Sequence, residues 1–145
     1  MGIRELPEMH LKETHKLSYP AHYFEPSDWL RFIHLGPFDR RWAALGLNDE
    51  DLRALQVLIM AAPDRHPIVK GTGGLRKLRF GRKDLGRGKS SAYRVGYVFF
   101  RSYSIVLLVT VYGKGEKSEL SMEDRKAITH IIGLIEEQLR LGGIR

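Results

Sequence analysis

The stretch that decides the fold is Tyr93-Arg-Val-Gly-Tyr-Val-Phe-Phe-Arg-Ser-Tyr-Ser-Ile-Val-Leu-Leu-Val-Thr-Val-Tyr112. Its first eight residues alternate, with Val95, Tyr97 and Phe99 on one face, as a strand lying on a core requires. Ile105 to Tyr112 is almost wholly apolar, the pattern of a central strand covered on both faces. Upstream, Leu75-Arg-Lys-Leu-Arg-Phe80 is a third strand, joined to the first by the basic hairpin loop Gly81-Arg-Lys-Asp-Leu-Gly-Arg-Gly-Lys-Ser90.

Helical patterns flank these strands. Trp29 to Leu35 is a strand that Gly36-Pro37 stops. Phe38, Trp42 and Leu45 then recur at helical spacing up to Gly46. Asn48 caps a second helix, with Leu47 and Leu52 in the staple positions, Leu55 and Ile59 on the apolar stripe, and Pro63 as the stop. Ser121 caps a last helix whose face is Ile128, Ile131, Ile132, Ile135 and Leu139, closed by Gly142-Gly143. The expected order is β-α-α-β-β-β-α, an α+β fold with an antiparallel C-terminal sheet packed by helices. The domain spans 29–141, with 142–145 as a tail. Residues 1–28, which hold Pro7, Pro20 and Pro26, form an extension that is loosely ordered or docked.

The chain has 145 residues, enough to bury roughly 68–70% of its unfolded surface in one domain. It has no cysteine, which removes disulfide scaffolds, thiolate metal sites and cysteine nucleophiles. It also lacks a membrane-spanning apolar run and a signal-peptide pattern, so the cytosol is the expected compartment. The histidines His10, His15 and His22 are spaced wrongly for a metal, and none is expected.

Charge is concentrated. The net charge is +7, but Lys70 to Lys117 alone holds 12 basic and 2 acidic residues. The remainder is net −3, and such a basic block points to a polyanionic partner. Gly88-Lys89-Ser90 ends like a phosphate loop, but Lys83 replaces the first glycine and a strand follows instead of a helix. Tyr97 and Phe99 read as core in preference to RNA-stacking aromatics. Cations could instead promote phosphodiester cleavage, by stabilising the dianionic phosphorane formed when a 2′-hydroxyl attacks. Lys77 and Arg79 share a strand face, Arg94 lies on the next strand, and Lys114 and Lys117 follow the third. The same residues could serve for docking without chemistry.

Four motifs in this order, Gly71-Thr-Gly-Gly-Leu-Arg-Lys-Leu-Arg-Phe80, Gly86-Arg-Gly-Lys-Ser90, Tyr93-Arg-Val-Gly-Tyr97 and Tyr112-Gly-Lys-Gly-Glu-Lys-Ser-Glu-Leu120, resemble the RelE/HigB toxins of bacterial type II toxin–antitoxin systems. Gly46 to Gln56 resembles the start of the second helix in the HigB branch. The resemblance runs from about residue 30 to 139. It implies a RelE-like fold and a metal- and cofactor-independent endoribonuclease that cuts mRNA on the ribosome and inhibits translation. It also implies a co-encoded antitoxin, often a helix-turn-helix protein, and no membrane partner. Lys77, Arg79, Arg94, Lys114 and Lys117 match the family's catalytic positions, with Arg94 on the scissile phosphate. Arg76, Arg82, Lys83, Arg87 and Lys89 are assigned to RNA binding. Gly115 stands where some relatives have an arginine, and Ser121 lies near the place of their C-terminal tyrosine. The alternative is an inert RNA- or ribosome-binding module on the same fold.

Overall fold

The computed structural model describes residues 11–13, 29–81, 92–113, 115–116 and 119–143. Its strands are β1 (Leu11–Glu13), β2 (Arg31–Leu35), β3 (Arg76–Gly81), β4 (Ala92–Phe100) and β5 (Ile105–Tyr112). Its helices are α1 (Gly36–Ala44), α2 (Asp49–Ala61) and α3 (Met122–Arg140). The fold is α+β, with one mixed five-stranded sheet in the order β1-β2-β5-β4-β3. β3, β4 and β5 pair antiparallel, whereas β2 runs parallel to β5.

The expected order is corrected at its start. β1 lies within the N-terminal extension and pairs antiparallel with β2, Leu11 opposite Leu35 and Glu13 opposite Ile33. Edge pairing of this kind uses backbone N–H and C=O groups, so three residues with no apolar period can still join a sheet.

Local chemistry sets the helix boundaries. Asn48 and Asp51 form a reciprocal capping box at the start of α2, both bonds 2.9 Å long. Ser121 and Asp124 do the same for α3. Each box satisfies two amide donors that a helix start otherwise leaves open, typically worth ~1 kcal/mol. Leu47 and Leu52 are both buried, as the staple requires.

The sheet has a core on each face. On one side Phe38 and Trp42 of α1 and Leu55 and Ile59 of α2 pack on Phe32, Leu78, Phe80, Val95, Tyr97, Val106 and Leu108. On the other, Ile128, Ile131, Ile132 and Ile135 of α3 pack on Ile33, Leu75, Val98, Ile105, Leu107 and Val109. β5 is buried along nearly its whole length, as its composition predicts. Tyr97 is fully buried and Phe99 packs at the margin of the first core, so neither is free to stack on RNA.

The β4–β5 ladder breaks register at one point. Gly96 pairs with Thr110, but Tyr97 pairs with Leu108, leaving Val109 as an extra residue in β5. Leu108 and Val111 both face the α1/α2 core, so the alternation of β5 inverts between them. Bulges of this type re-aim side chains beyond them.

Candidate functional site

Leu78 and Phe80 face the α1/α2 core, so Lys77 and Arg79 occupy the opposite face of β3, and both are exposed. Tyr93 and Val95 likewise turn inward, which puts Arg94 on the outer face of β4. The register aligns these positions. Arg79 is directly opposite Arg94, and Arg94 is directly opposite Tyr112. The next row is Lys77, Gly96 and Thr110. Two rows of one sheet face thus carry Arg79, Arg94 and Tyr112 beside Lys77 and Thr110.

A groove of about 200 Å³ opens on this face, lined by Lys77, Arg94, Thr110 and Tyr112 on the sheet side. Val69, Leu75, Glu119, Leu120 and Arg125 line its remainder. Gly96 permits this packing. A Cβ there would run into Thr110 Oγ1 and come within 3.2 Å of both Leu75 methyls. The wall is tied to α3, because Arg125 donates to the carbonyls of Leu120 (3.2 Å) and Lys70 (2.5 Å). Thr72 braces it, donating to the Val69 carbonyl and accepting from the Leu75 amide.

The charges divide into committed and uncommitted groups. Arg41 pairs with Glu116, Arg101 with Asp64, and Arg140 with Glu137. Among the described residues, the side chains of Lys77, Arg79 and Arg94 have no hydrogen-bonded or ion-paired partner. Two arginines directly opposed across a ladder repel each other, and no described carboxylate forms an ion pair with either, although Glu119 lines the same groove. A polyanion is the complement of such a surface.

Arg76 stands apart from these three. It pairs with Tyr97 and therefore lies on the α1/α2 side of the sheet. Its Nη1 donates to the carbonyls of Asp64 (2.9 Å) and His66 (2.7 Å), holding the loop after α2. It is separated from Lys77, Arg79 and Arg94 because successive strand residues point to opposite faces. Arg82, Lys83, Arg87, Lys89, Lys114 and Lys117 lie outside the described residues.

The histidines offer this face little. His66 Nδ1 sits 3.0 Å from Tyr97 Oη, which in turn donates to the Pro63 carbonyl at 2.7 Å. Burial pushes the Tyr97 phenol up to about 12 and, with Arg65 and Arg76, holds His66 below its usual range. His34 is buried against Asp39, and His130 is exposed on α3. Among the described residues no three His, Asp or Glu side chains are placed to hold a metal ion. No described helix is long and apolar enough to cross a membrane.

Gly115 has a φ of +82°, a left-handed conformation that side-chain-bearing residues rarely adopt. Beside it Glu116 accepts from the Gly113 amide at 2.6 Å and pairs with Arg41. Ser121 is spent on capping α3.

Tyr112 is the residue that sequence reasoning did not place in the site. Counting by two from Val106 and Leu108 assigns it to the α1/α2 core, but the bulge at Val109 turns it to the Arg94 face. It is half-buried, and burial raises its phenol above the usual range. Asp124 and Glu116 add to that rise, and Arg41 opposes it. Compared with models of known protein families, the chain matches none.

Proposed function

We propose that this protein is a RelE/HigB-type endoribonuclease, the toxin of a type II toxin–antitoxin pair, which cuts mRNA on the ribosome in the cytosol without a metal. The observation that carries this reading is the row of Arg79 opposite Arg94, with Lys77 beside it and no carboxylate paired to any of them among the described residues. Natural sequences place like charges side by side in a ladder at a cost, and a site for an anion offsets that cost. The four ordered motifs supply the substrate class. In this reading Arg94 grips two oxygens of the scissile phosphate, for which a planar guanidinium is suited. Arg79 and Lys77 add positive charge on the same side. A helix-turn-helix antitoxin would neutralise the protein by covering this face.

The second reading, an inert RNA- or ribosome-binding module, draws on Gly115, whose left-handed turn replaces a cation that some relatives use. A cleavage assay on ribosome-bound message, with chelator present, separates the two. Arg94→Ala should slow cleavage by about 10²–10³ while weakening binding far less, as loss of one preorganised transition-state donor does. Arg87→Ala with Lys89→Ala should mainly lower affinity and flatten the slope of log K against log salt by roughly 0.7 per lost contact. A wild type that binds but never cuts decides for the inert module.

A further inference from the structure

Stabilising a phosphorane is half of RNA cleavage, because the departing 5′-oxygen also needs a proton. Arginine cannot supply it, since guanidinium keeps its protons throughout the accessible pH range. The histidines of the described chain are elsewhere: His66 is bound to Tyr97 behind the sheet, His34 is buried with Asp39, and His130 stands on the exposed side of α3. Tyr112 is on the right face. It is the direct ladder partner of Arg94, so their backbones are ~5 Å apart, and both line the same groove. Among the described residues nothing hydrogen-bonds its hydroxyl. Lys77 also lines the groove but sits one row away, opposite Gly96, on the exposed edge strand.

We propose that Tyr112 is a catalytic residue, the general acid that protonates the leaving 5′-oxygen; this rests on the ribonuclease reading above. The 2′-oxygen attacks phosphorus as its proton passes to water, and the P–O5′ bond breaks. The Tyr112 Oη proton moves to O5′, giving a 2′,3′-cyclic phosphate and a 5′-hydroxyl end. The phenolate then regains a proton from water. The surroundings keep the acid loaded: burial, with Asp124 at the start of α3 and Glu116 in the turn after β5, outweighs Arg41 and holds the hydroxyl protonated at neutral pH. Arg41, the cation that acts on this phenol, offsets part of the charge it acquires as it gives up its proton. The bulge at Val109 acquires a purpose in this arrangement, since a regular β5 would bury this hydroxyl under α1 and α2.

The test compares Tyr112→Phe, which deletes one half-buried oxygen, with Arg94→Ala on two substrates. One is a ribosome-bound message with ordinary linkages. The other carries sulfur in place of the 5′-bridging oxygen at the cleaved position, a leaving group that needs no proton. Tyr112→Phe should cut the ordinary message about 10²–10⁴ more slowly, the usual worth of general acid catalysis. It should approach the wild-type rate on the sulfur message and bind 2′-O-methyl RNA with unchanged Kd. Arg94→Ala should remain slow on both. Equal slowing of Tyr112→Phe on both messages, or no slowing on the ordinary one, overturns the role of Tyr112 and leaves the ribonuclease reading intact. A wild type that cuts neither message overturns both.

Discussion

Arg79 and Arg94 stand directly opposite each other across the β3–β4 ladder, on a sheet face where no described carboxylate pairs with either. Two other described guanidinium groups near the sheet are bonded within the fold, Arg76 to two carbonyls and Arg101 to Asp64. The opposition therefore marks a place where the sheet tolerates like-charge repulsion.

Removing one member of that pair should stabilise the fold. Arg79→Ala, at an exposed position, should raise the unfolding free energy by about 0.2–1 kcal/mol in low salt, the usual size of a cross-strand charge effect. The gain should shrink in 0.5 M salt, where screening already relieves the repulsion. Chemical denaturation at both salt concentrations measures this, and a salt-independent loss of stability would contradict it.

Glu116 has two tasks, and the two should separate by mutation. Its ion pair with Arg41 is between half-exposed side chains, so Arg41→Ala should cost under ~1 kcal/mol. Glu116→Ala also strands the amide of buried Gly113, so it should cost about 1–3 kcal/mol. Equal effects in urea titrations would show that the Gly113 bond contributes nothing.

Gly96 is required by its neighbours. Gly96→Ala drives a Cβ into Thr110 Oγ1 and against Leu75, and overpacking of this kind costs about 1–3 kcal/mol. Adding Thr110→Ala removes the obstructing oxygen and should recover part of the loss. A double-mutant cycle with no coupling between the positions would refute the steric account.

His66 should make stability pH-dependent. Its folded pKa lies below the ordinary 6.5, chiefly through burial, so below that pH the unfolded chain binds more protons than the folded one. Its contribution is complete above 6.5 and is lost as pH falls through the folded value. Asp64 and Glu116, both held low by arginine hydrogen bonds, act in a separate and more acidic window. Thermal unfolding from pH 7.5 to 5 should show a smaller decline for His66→Gln than for wild type.

How much could be read from the chain depended on the range of the forces involved. Asn48 and Ser121 marked their helices because a capping side chain bonds an amide three residues away. Lys77, Arg79 and Arg94 were legible as one surface because clean alternation in β3 and β4 leaves each a single face. Tyr112 was not, since Ile105 to Val111 is apolar but for Thr110 and offers no clear alternation to count. Arg76 looked like one more basic residue of the block until Asp64 and His66, ten and more positions away, claimed it.

By itself the sequence determined the α+β class, the three helices, the three antiparallel strands and the concentration of positive charge, all of them patterns written in near neighbours. Only the tertiary structure decided that β2 runs parallel to β5, that Leu11–Glu13 closes the sheet edge, and that an extra residue at Val109 turns Tyr112 toward Arg94. The physical reason is that strand pairing and register are set by backbone hydrogen bonds between distant segments. A one-residue slip in that register moves a side chain from one face of a sheet to the other.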